Sequence, residues 1–420
     1  MLIVAASARP WIESAEMAGF CVTAFDFFND WDSSEQESQR QINSQPIPDV
    51  ALSRIVCRLE RFNDLTKQGN LELISKCDYA ILAGGLENHP ALIQALSSLV
   101  KILGPDALQH ERLSDSVEIL ARLGKNGFLV PASSYRLGSM IRPGEWLKKS
   151  FQSSGGLGIQ HATEGDVGLE STTHYYQKRV AGEDFSGVFV SVRQETGRSK
   201  TALLGWTRQL IGGRWCAAGE FRYCGSIGPL ALDPYLQTKV EEIGRSVGEE
   251  YGIIGVWGID FLVDGKDVIP VDFNIRLTAS MEIFDFEKEE SESPSQGIIE
   301  LHFLACQGHL DVDQIRNPAE LAGAALESRF GKTILFYDGV VPVQVTSNAH
   351  QNLVSQWRRL GELVLGGFGV ADIPRVGDWI KPGQPICTIL VKDEPGKVIE
   401  SLKIASLKIR RSFVQMATAQ

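Results

Sequence analysis

The alternation of apolar and polar positions changes character along the chain. At the start, short apolar runs are separated by helical stretches. Leu2 to Ala6 reads as a strand, Ser14 to Gly19 as a following helix, and Phe20 to Phe25 as a second strand with Asp26 at its end. Val50 to Ile55 and Tyr79 to Leu82, the latter before Gly84-Gly85, continue the rhythm. Strands alternating with helices predict a small parallel sheet covered by helices. Asp30 to Pro48 is polar and reads as a loop or frayed helix. His89, between Asn88 and Pro90, reads as leading into a helix.

From Asp106 the pattern turns helical, with Ser114-Asp115 capping a helix that runs through Leu123 and stops at Gly124. Gly127 to Pro131 reads as a short strand entering a new domain. A β-rich region follows: strands at Tyr175 to Val180, Phe185 to Val192, Ala202 to Gln209 and Phe221 to Gly228, then an amphipathic helix from Pro234 to Tyr251. Val256 to Val263 and Val268 to Phe273 pair as a hairpin with Asp264-Gly265 as its turn. Lys288 to Gln296 reads as an exposed acidic loop, and Ile298 to Ala305 opens a helix. The tail from Gly331 is again β-rich, with strands at Thr333 to Tyr337, Val340 to Val345, Val376 to Ile380 and Pro382 to Ile386. Its GDWIKPGQPI resembles the turns of biotin- or lipoate-carrying sandwiches, but no lysine stands in a carrier context, so a structural cap is expected. The expected units are 1–114, 115–310 and 311–420, an α/β domain followed by α+β and β-rich parts.

Composition narrows the class. At 420 residues, 43% hydrophobic and 22% charged, the chain is that of a multidomain globular protein. A net charge of −11 with dispersed lysines and arginines argues against nucleic acid or an anionic membrane as the main partner. The seven cysteines are odd in number and free of any CxxC pair, which fits a reduced, cytoplasmic protein. MLIVAASARPW lacks a basic leader and reads as a first strand, and no apolar run is long enough to span a membrane.

The candidate chemistry begins at Trp146 to Gln160, WLKKSFQSSGGLGIQ. It reads as two strands joined by a tip of Ser153, Ser154, Gly155, Gly156 and Gly158. Glycines let backbone approach a ligand closely, and successive N–H groups in such a tip suit phosphate oxygens. Lys148 or Lys149 would bring an ammonium to the same phosphates. Neither GxxxxGK[ST] nor GxGxxG is present, since position 161 is His. Asp26 has no nucleotide fingerprint beside it and reads as a loop carboxylate. Downstream, Asp272 and Asn274 lie two apart on a strand and share a face, and Asp260 on the paired strand is able to join them. Two carboxylates and an amide oxygen are hard ligands suited to Mg²⁺.

These features, in this order, resemble the ATP-grasp superfamily, over roughly residues 115 to 305. The resemblance implies an ATP-grasp architecture, in which ATP lies between two α+β subdomains, with a small parallel-sheet domain in front and a β-rich piece behind. It implies Lys149 as the phosphate lysine beneath Ser154, Gly155, Gly156 and Gly158. YYQKRVAGEDF resembles the hinge that grips the base, so Gln177, Lys178 and Val180 would face adenine, with Glu183 or Asp184 on the ribose. Asp260, Asp272 and Asn274 would hold Mg²⁺, with Mn²⁺ as an alternative. Arg276 would stabilise the transferring phosphoryl group, and Arg222 or Arg208 would anchor a carboxylate. The common Glu-x-Asn-Pro-Arg string is Asp272-Phe273-Asn274-Ile275-Arg276 here, Lys178 stands where an acid is common, and Ser150 where Pro is common. FRYCGSIGPL and ADIPRVGDWIKPGQPICTIL are similar to a group of predicted carboligases whose relatives lie beside tetrahydromethanopterin-linked one-carbon genes.

The function so implied is an ATP-dependent carboxylate–amine (or thiol) ligase. It would join two small molecules through an acyl phosphate and release ADP and phosphate, with a homo-oligomer left open. The competing expectations are a catalytically silent ATP-binding regulatory module and a sugar- or dinucleotide-binding enzyme built on the N-terminal sheet.

Overall fold

The computed structural model describes residues 1–34, 54–138, 142–152, 154–231, 233–285, 297–315, 329–359 and 362–419. Ser153, Lys288 to Gln296 and most of Asp30 to Pro48 and of Val50 to Ile55 lie outside them. The first sheet is parallel: β1 (Leu2–Ala5), β2 (Val22–Asp26), β3 (Arg54–Arg58), β4 (Tyr79–Leu82) and β5 (Lys101–Leu103), in the order β3-β2-β1-β4-β5. Every residue of β1 is buried, as expected of a central strand covered on both faces. The helix after it spans Arg9–Met17 and so starts ahead of Ser14, because Pro10 fits its first turn, where an N–H is not needed. His89 does lead into a helix, Pro90–Ser97. Asp26 is satisfied locally, accepting from Phe28 N at 3.1 Å and Ser33 Oγ at 2.8 Å.

A small antiparallel sheet follows, made of β6 (Ser133–Ser134), β7 (Trp146–Ser150), β8 (Ile159–His161) and β9 (His174–Lys178), in the order β6-β9-β7-β8. The strand expected at Gly127 to Pro131 does not form. Pro131 has no N–H to offer a neighbour, and pairing starts only at Ser133. The helix before it is Ser116–Lys125, capped by the Asp115 carboxylate, which accepts from Val117 N and Glu118 N.

The third sheet is the largest. Its strands are β10 (Glu183–Arg193), β11 (Ser199–Ile211), β12 (Tyr223–Gly228), β13 (Gly255–Asp264), β14 (Asp267–Asn274), β15 (Arg329–Phe336), β17 (Gly367–Ala371) and β19 (Pro385–Asp393). They run in the order β14-β13-β10-β11-β12-β15-β19-β17, so the β-rich tail extends the sheet of the middle region. β16 (Val343–Gln344), β18 (Trp379–Ile380) and β20 (Thr418–Ala419) form a separate three-stranded sheet. Of the strand expected at Val340 to Val345, only Val343–Gln344 pairs. The β13–β14 turn is shifted by one residue from its expected place. Asp264 and Asp267 pair, so Gly265, at φ +60°, and Lys266 occupy the turn.

The first and third sheets share a core. Ile3, Ala5 and Ile81 pack in one cluster with Val188, Val190 and Val256 through the helix Ile298–Gln307. That packing holds the C-terminal edge of the parallel sheet beside β14. No helix among the described residues is long and apolar enough to cross a membrane, and all seven cysteines are free thiols.

Candidate functional site

A cleft of about 480 Å³ lies between the small sheet and the third sheet, a volume suited to a small-molecule ligand. One wall comes from β7, β9 and the tip between β7 and β8, the other from β11, β13, β14 and the residues just after β14. Side chains alternate along strands, so the two lysines of β7 part company. Lys149 turns inward, 8% exposed, and donates to Val271 O at 3.0 Å and Gln177 Oε1 at 3.3 Å. Lys148 turns away and pairs with Asp166 at 2.7 Å. Burial works against the charge on Lys149, but Tyr175, Asp272 and Asp260 outweigh it and raise its pKa.

Across the cleft Asp260 and Asp272 are direct partners in the β13–β14 register and therefore share a face. Asn274 lies on the same face and donates to Asp260 Oδ2 at 3.1 Å, while Gln209 donates to Oδ1 at 2.9 Å. Burial and the neighbouring Asp272 push the Asp260 carboxyl up to about 7, against the opposing pull of Ser186, Asn274 and Arg276. Two carboxylates so close carry a surplus of negative charge that a hard divalent cation would neutralise, and the donor set of Asp260, Asp272 and Asn274 suits one. Among the described residues no group of three or more His, Cys, Asp and Glu converges as a metal site.

The glycine tip is folded down over this cleft. Gly155, Gly156 and Gly158 have φ of +61°, +78° and +81°, the left-handed region. Gly155 O accepts from Tyr223 N at 3.1 Å, and a Cβ on Gly156 would lie 1.8 Å from Phe221 O. Gly156 thus answers to the strand beneath it, a partner that the local sequence does not reveal. Ser154 Oγ lies 3.5 Å from the Arg276 guanidinium, which itself pairs with Glu87 at 2.5 Å.

Among the other expected residues, Gln177 is buried and also donates to Val271 O at 3.3 Å, tying β9 to β14. Lys178, Val180 and Asp184 line the cleft. Glu183 points to the opposite face from Asp184 and pairs with Arg208 at 3.3 Å, so neither of these two reaches the acidic strands. Arg222 is also separated from the rest. Phe221 and Tyr223 line the cleft, whereas the guanidinium between them stacks 4.8 Å from the Phe336 ring centroid, which places Arg222 outside the cleft lining.

Glu87, His110, Gln209 and Tyr223 line the cleft without having been expected. A signal for Glu87 was present. It follows Gly84-Gly85 after β4, and in open parallel sheets ligands bind outside the C-terminal edge where the strand order reverses, here between β1 and β4. His110 is 5% exposed, its Nδ1 has no partner among the described residues, and burial pushes its pKa down to about 4.

The family model described as an ATP-grasp domain matches residues 113–280. No curated protein is matched by the sequence. Among solved structures the chain is similar to N5-carboxyaminoimidazole ribonucleotide synthetase from Thermus thermophilus, with a TM-score of 0.60, 13% identity, and 97% and 98% of the two chains covered. It is similar to a biotin carboxylase–β-γ-ATP complex from Campylobacter jejuni, with a TM-score of 0.64, 13% identity, and 99% and 94% covered. It is also similar to an L-amino acid ligase from Bacillus licheniformis, with a TM-score of 0.60, 13% identity, and 100% and 98% covered. At such identities these likenesses show the fold, a mixed α/β architecture with an N-terminal parallel sheet and a β-rich body.

Proposed function

We propose that the ATP-grasp domain formed by residues 113–280 makes this chain an ATP-dependent ligase that joins a small-molecule carboxylate to an amine. The observation that carries the reading is the inward Lys149 facing the Asp260–Asp272 pair across a cleft roofed by a glycine tip. The likeness to a synthetase, a carboxylase and an L-amino acid ligase supports it at the level of fold. So does the similarity of Phe221–Leu230 and Ala371–Leu390 to predicted carboligases.

In this reading Gln177 to Val180 border the base, Asp184 takes the ribose, and Lys149 with Ser154 to Gly158 holds the phosphates. Asp260, Asp272 and Asn274 would hold a divalent ion, which would supply charge neutralisation at the phosphates. The substrate carboxylate attacks the γ-phosphorus, an O–P bond forms, and ADP leaves with the bonding pair of the cleaved bond. The protein's contribution is positioning and electrostatics. Arg276, one hydrogen bond from the tip, steadies the charge that develops on the phosphoryl group. An amine then displaces phosphate from the acyl carbon.

Hydroxylamine tests this directly, because it intercepts an acyl phosphate as a hydroxamate. With Mg-ATP and a panel of carboxylic acids, hydroxamate and ADP should rise in step. Release of AMP and pyrophosphate would point to adenylation and overturn the mechanism. ATP binding without turnover on any acid would leave a silent nucleotide-binding module instead.

A further inference from the structure

The strand beneath the glycine tip carries a second feature on its other face. Tyr223 lines the cleft, and its N–H donates to Gly155 O at 3.1 Å. The next residue, Cys224, turns the opposite way and is fully buried. So is Cys216, at the end of the short turn Arg214–Cys216 in the connection from β11 to β12. A Cβ on Gly213 would lie 2.9 Å from Cys216 Sγ and 3.1 Å from Cys224 Sγ, so one point beside Gly213 touches both sulfurs. Cys216 donates to Gly213 O at 3.0 Å and Cys224 to Leu210 O at 3.1 Å. Leu210, Gly213 and Trp215 line a separate cavity of about 290 Å³, an opening on the flank of the pair.

The pair is built to react as well as to pack. The Cys224 thiol also reaches Cys216, and that contact lowers the Cys216 thiol to about 7 while Cys224 is pushed up. Cys216 therefore ionises first and is the nucleophile of the two. Cys224 is the extra residue of a bulge: Leu210 pairs with Gly225 and Ile211 with Tyr223, so the register skips it and the strand is able to give there. The turn that carries Cys216 closes through Ala217 at φ +61°, a left-handed backbone that a side chain adopts only at a cost. It runs on into exposed Gly219 and Glu220, and local opening of such a turn admits a small oxidant to the sulfurs.

We infer that Cys216 and Cys224 form an oxidation site, closed into a disulfide by hydrogen peroxide, and that the disulfide loosens the glycine tip. The Cys216 thiolate attacks one peroxide oxygen, the O–O bond breaks, and hydroxide leaves, taking up the proton of the Cys216 thiol as water. The Cys224 sulfur then attacks the sulfenic acid so formed. The S–S bond forms, the S–O bond breaks, and hydroxide leaves with the Cys224 proton as a second water. The two thiols give up two electrons, which reduce the peroxide. A covalent bond draws the sulfurs closer than two thiols in contact come. Beyond Cys224, β12 is held at Ser226 and Ile227 by both neighbouring strands. The movement therefore falls on the bulge and on Phe221 to Tyr223, the backbone against which the tip rests.

The test treats the full chain with hydrogen peroxide, blocks the remaining thiols with N-ethylmaleimide and digests it with trypsin in the absence of reductant. Cleavage after Arg214 and Arg222 puts the two cysteines on different peptides, so the disulfide appears as one joined peptide that dithiothreitol separates. Exposed Cys21 is the internal control for the reagents. The joined peptide should form in the natural chain and be absent from Cys216→Ala. Oxidation should speed exchange of the Tyr223 amide and weaken Mg-ATP about threefold to tenfold, the worth of one backbone hydrogen bond. Cys216→Ala should bind Mg-ATP as the reduced chain does and not respond to peroxide. Oxidation of Cys21 with no joined peptide would overturn the site, and a joined peptide with unchanged Tyr223 exchange would overturn its coupling to the tip. Neither readout needs turnover, so a chain that passes both but makes no acyl phosphate would sink the ligase reading alone.

Discussion

Substituting Gly156 by Ala asks whether the tip is held by the strand beneath it. At φ +78° a side chain pays roughly 1–2 kcal/mol for the left-handed backbone. A Cβ there would also stand 1.8 Å from Phe221 O, an impossible separation, so the tip must lift. Lifting gives up the Tyr223 N–H bond to Gly155 O, worth about 0.5–1.5 kcal/mol. Together these amount to about 1.5–3.5 kcal/mol against the docked tip. Gly155 is the control, because at φ +61° it carries the same left-handed backbone cost but nothing lies within 4 Å of its Cβ. Hydrogen exchange of a peptide containing Tyr223 reports docking, and titration with Mg-ATP reports its consequence. Gly156→Ala should speed Tyr223 exchange and weaken ATP by about tenfold or more, whereas Gly155→Ala should leave Tyr223 protected. Equal effects of the two substitutions, or an unchanged Tyr223, would refute the docking argument.

Lys149→Ala should weaken Mg-ATP by about tenfold or more, and Lys148→Ala by less than about threefold, since only the first ammonium faces the cleft and the second holds a partly exposed surface pair; equal losses in a binding titration would mean the reverse face is used. Asp272→Asn should lower turnover far more than metal-free nucleotide affinity, as measured by ADP release against binding. Arg276→Ala should reduce the turnover number by about a hundredfold with ATP affinity little changed, and Arg276→Lys should recover only part, because an ammonium cannot offer two parallel donors; a KM effect alone would make Arg276 a carboxylate anchor. His302 is buried, with Nδ1 accepting from Val256 N at 2.9 Å, and burial pushes its pKa down to about 4. Its ordinary value near 6.5 applies when unfolded, so the stability it contributes is whole above about 6.5 and is lost as pH falls toward 4, about 3 kcal/mol in all. Urea denaturation across that range should show a slope that His302→Gln flattens.

How legible the molecule is in its sequence depends on how far apart the partners lie. The β7–β8 hairpin, the helix Pro234–Tyr251 and the β13–β14 pair are written locally, in alternation, capping and a turn. Period two alone separates Lys149 from Lys148 and puts Asp272 with Asn274. The same rule, applied to Glu183 and Arg222, would have turned each away from the neighbour that does line the cleft. Local signals also mislead where a neighbour is missing. Gly127 to Pro131 is apolar enough for a strand, yet Pro131 cannot pair, and the β13–β14 turn moves by one residue because Asp264 finds Asp267.

The half of the cleft contributed by the first domain is a different case. Glu87 and Arg276 are 189 residues apart, and nothing in the spacing of either announces the other. Their meeting depends on the helix Ile298–Gln307, which buries its apolar face against both the parallel sheet and β10 and β13. Packing of that helix fixes how close the edge of one sheet comes to the end of another. An ion pair then forms in the cleft between Arg276, expected at the phosphoryl group, and Glu87, which reads as an ordinary surface charge. The side of the cleft that carries Lys149, Asp260 and Asp272 is therefore a matter of strand alternation, which a sequence displays. The side that carries Glu87 is a matter of packing between sheets, which it does not.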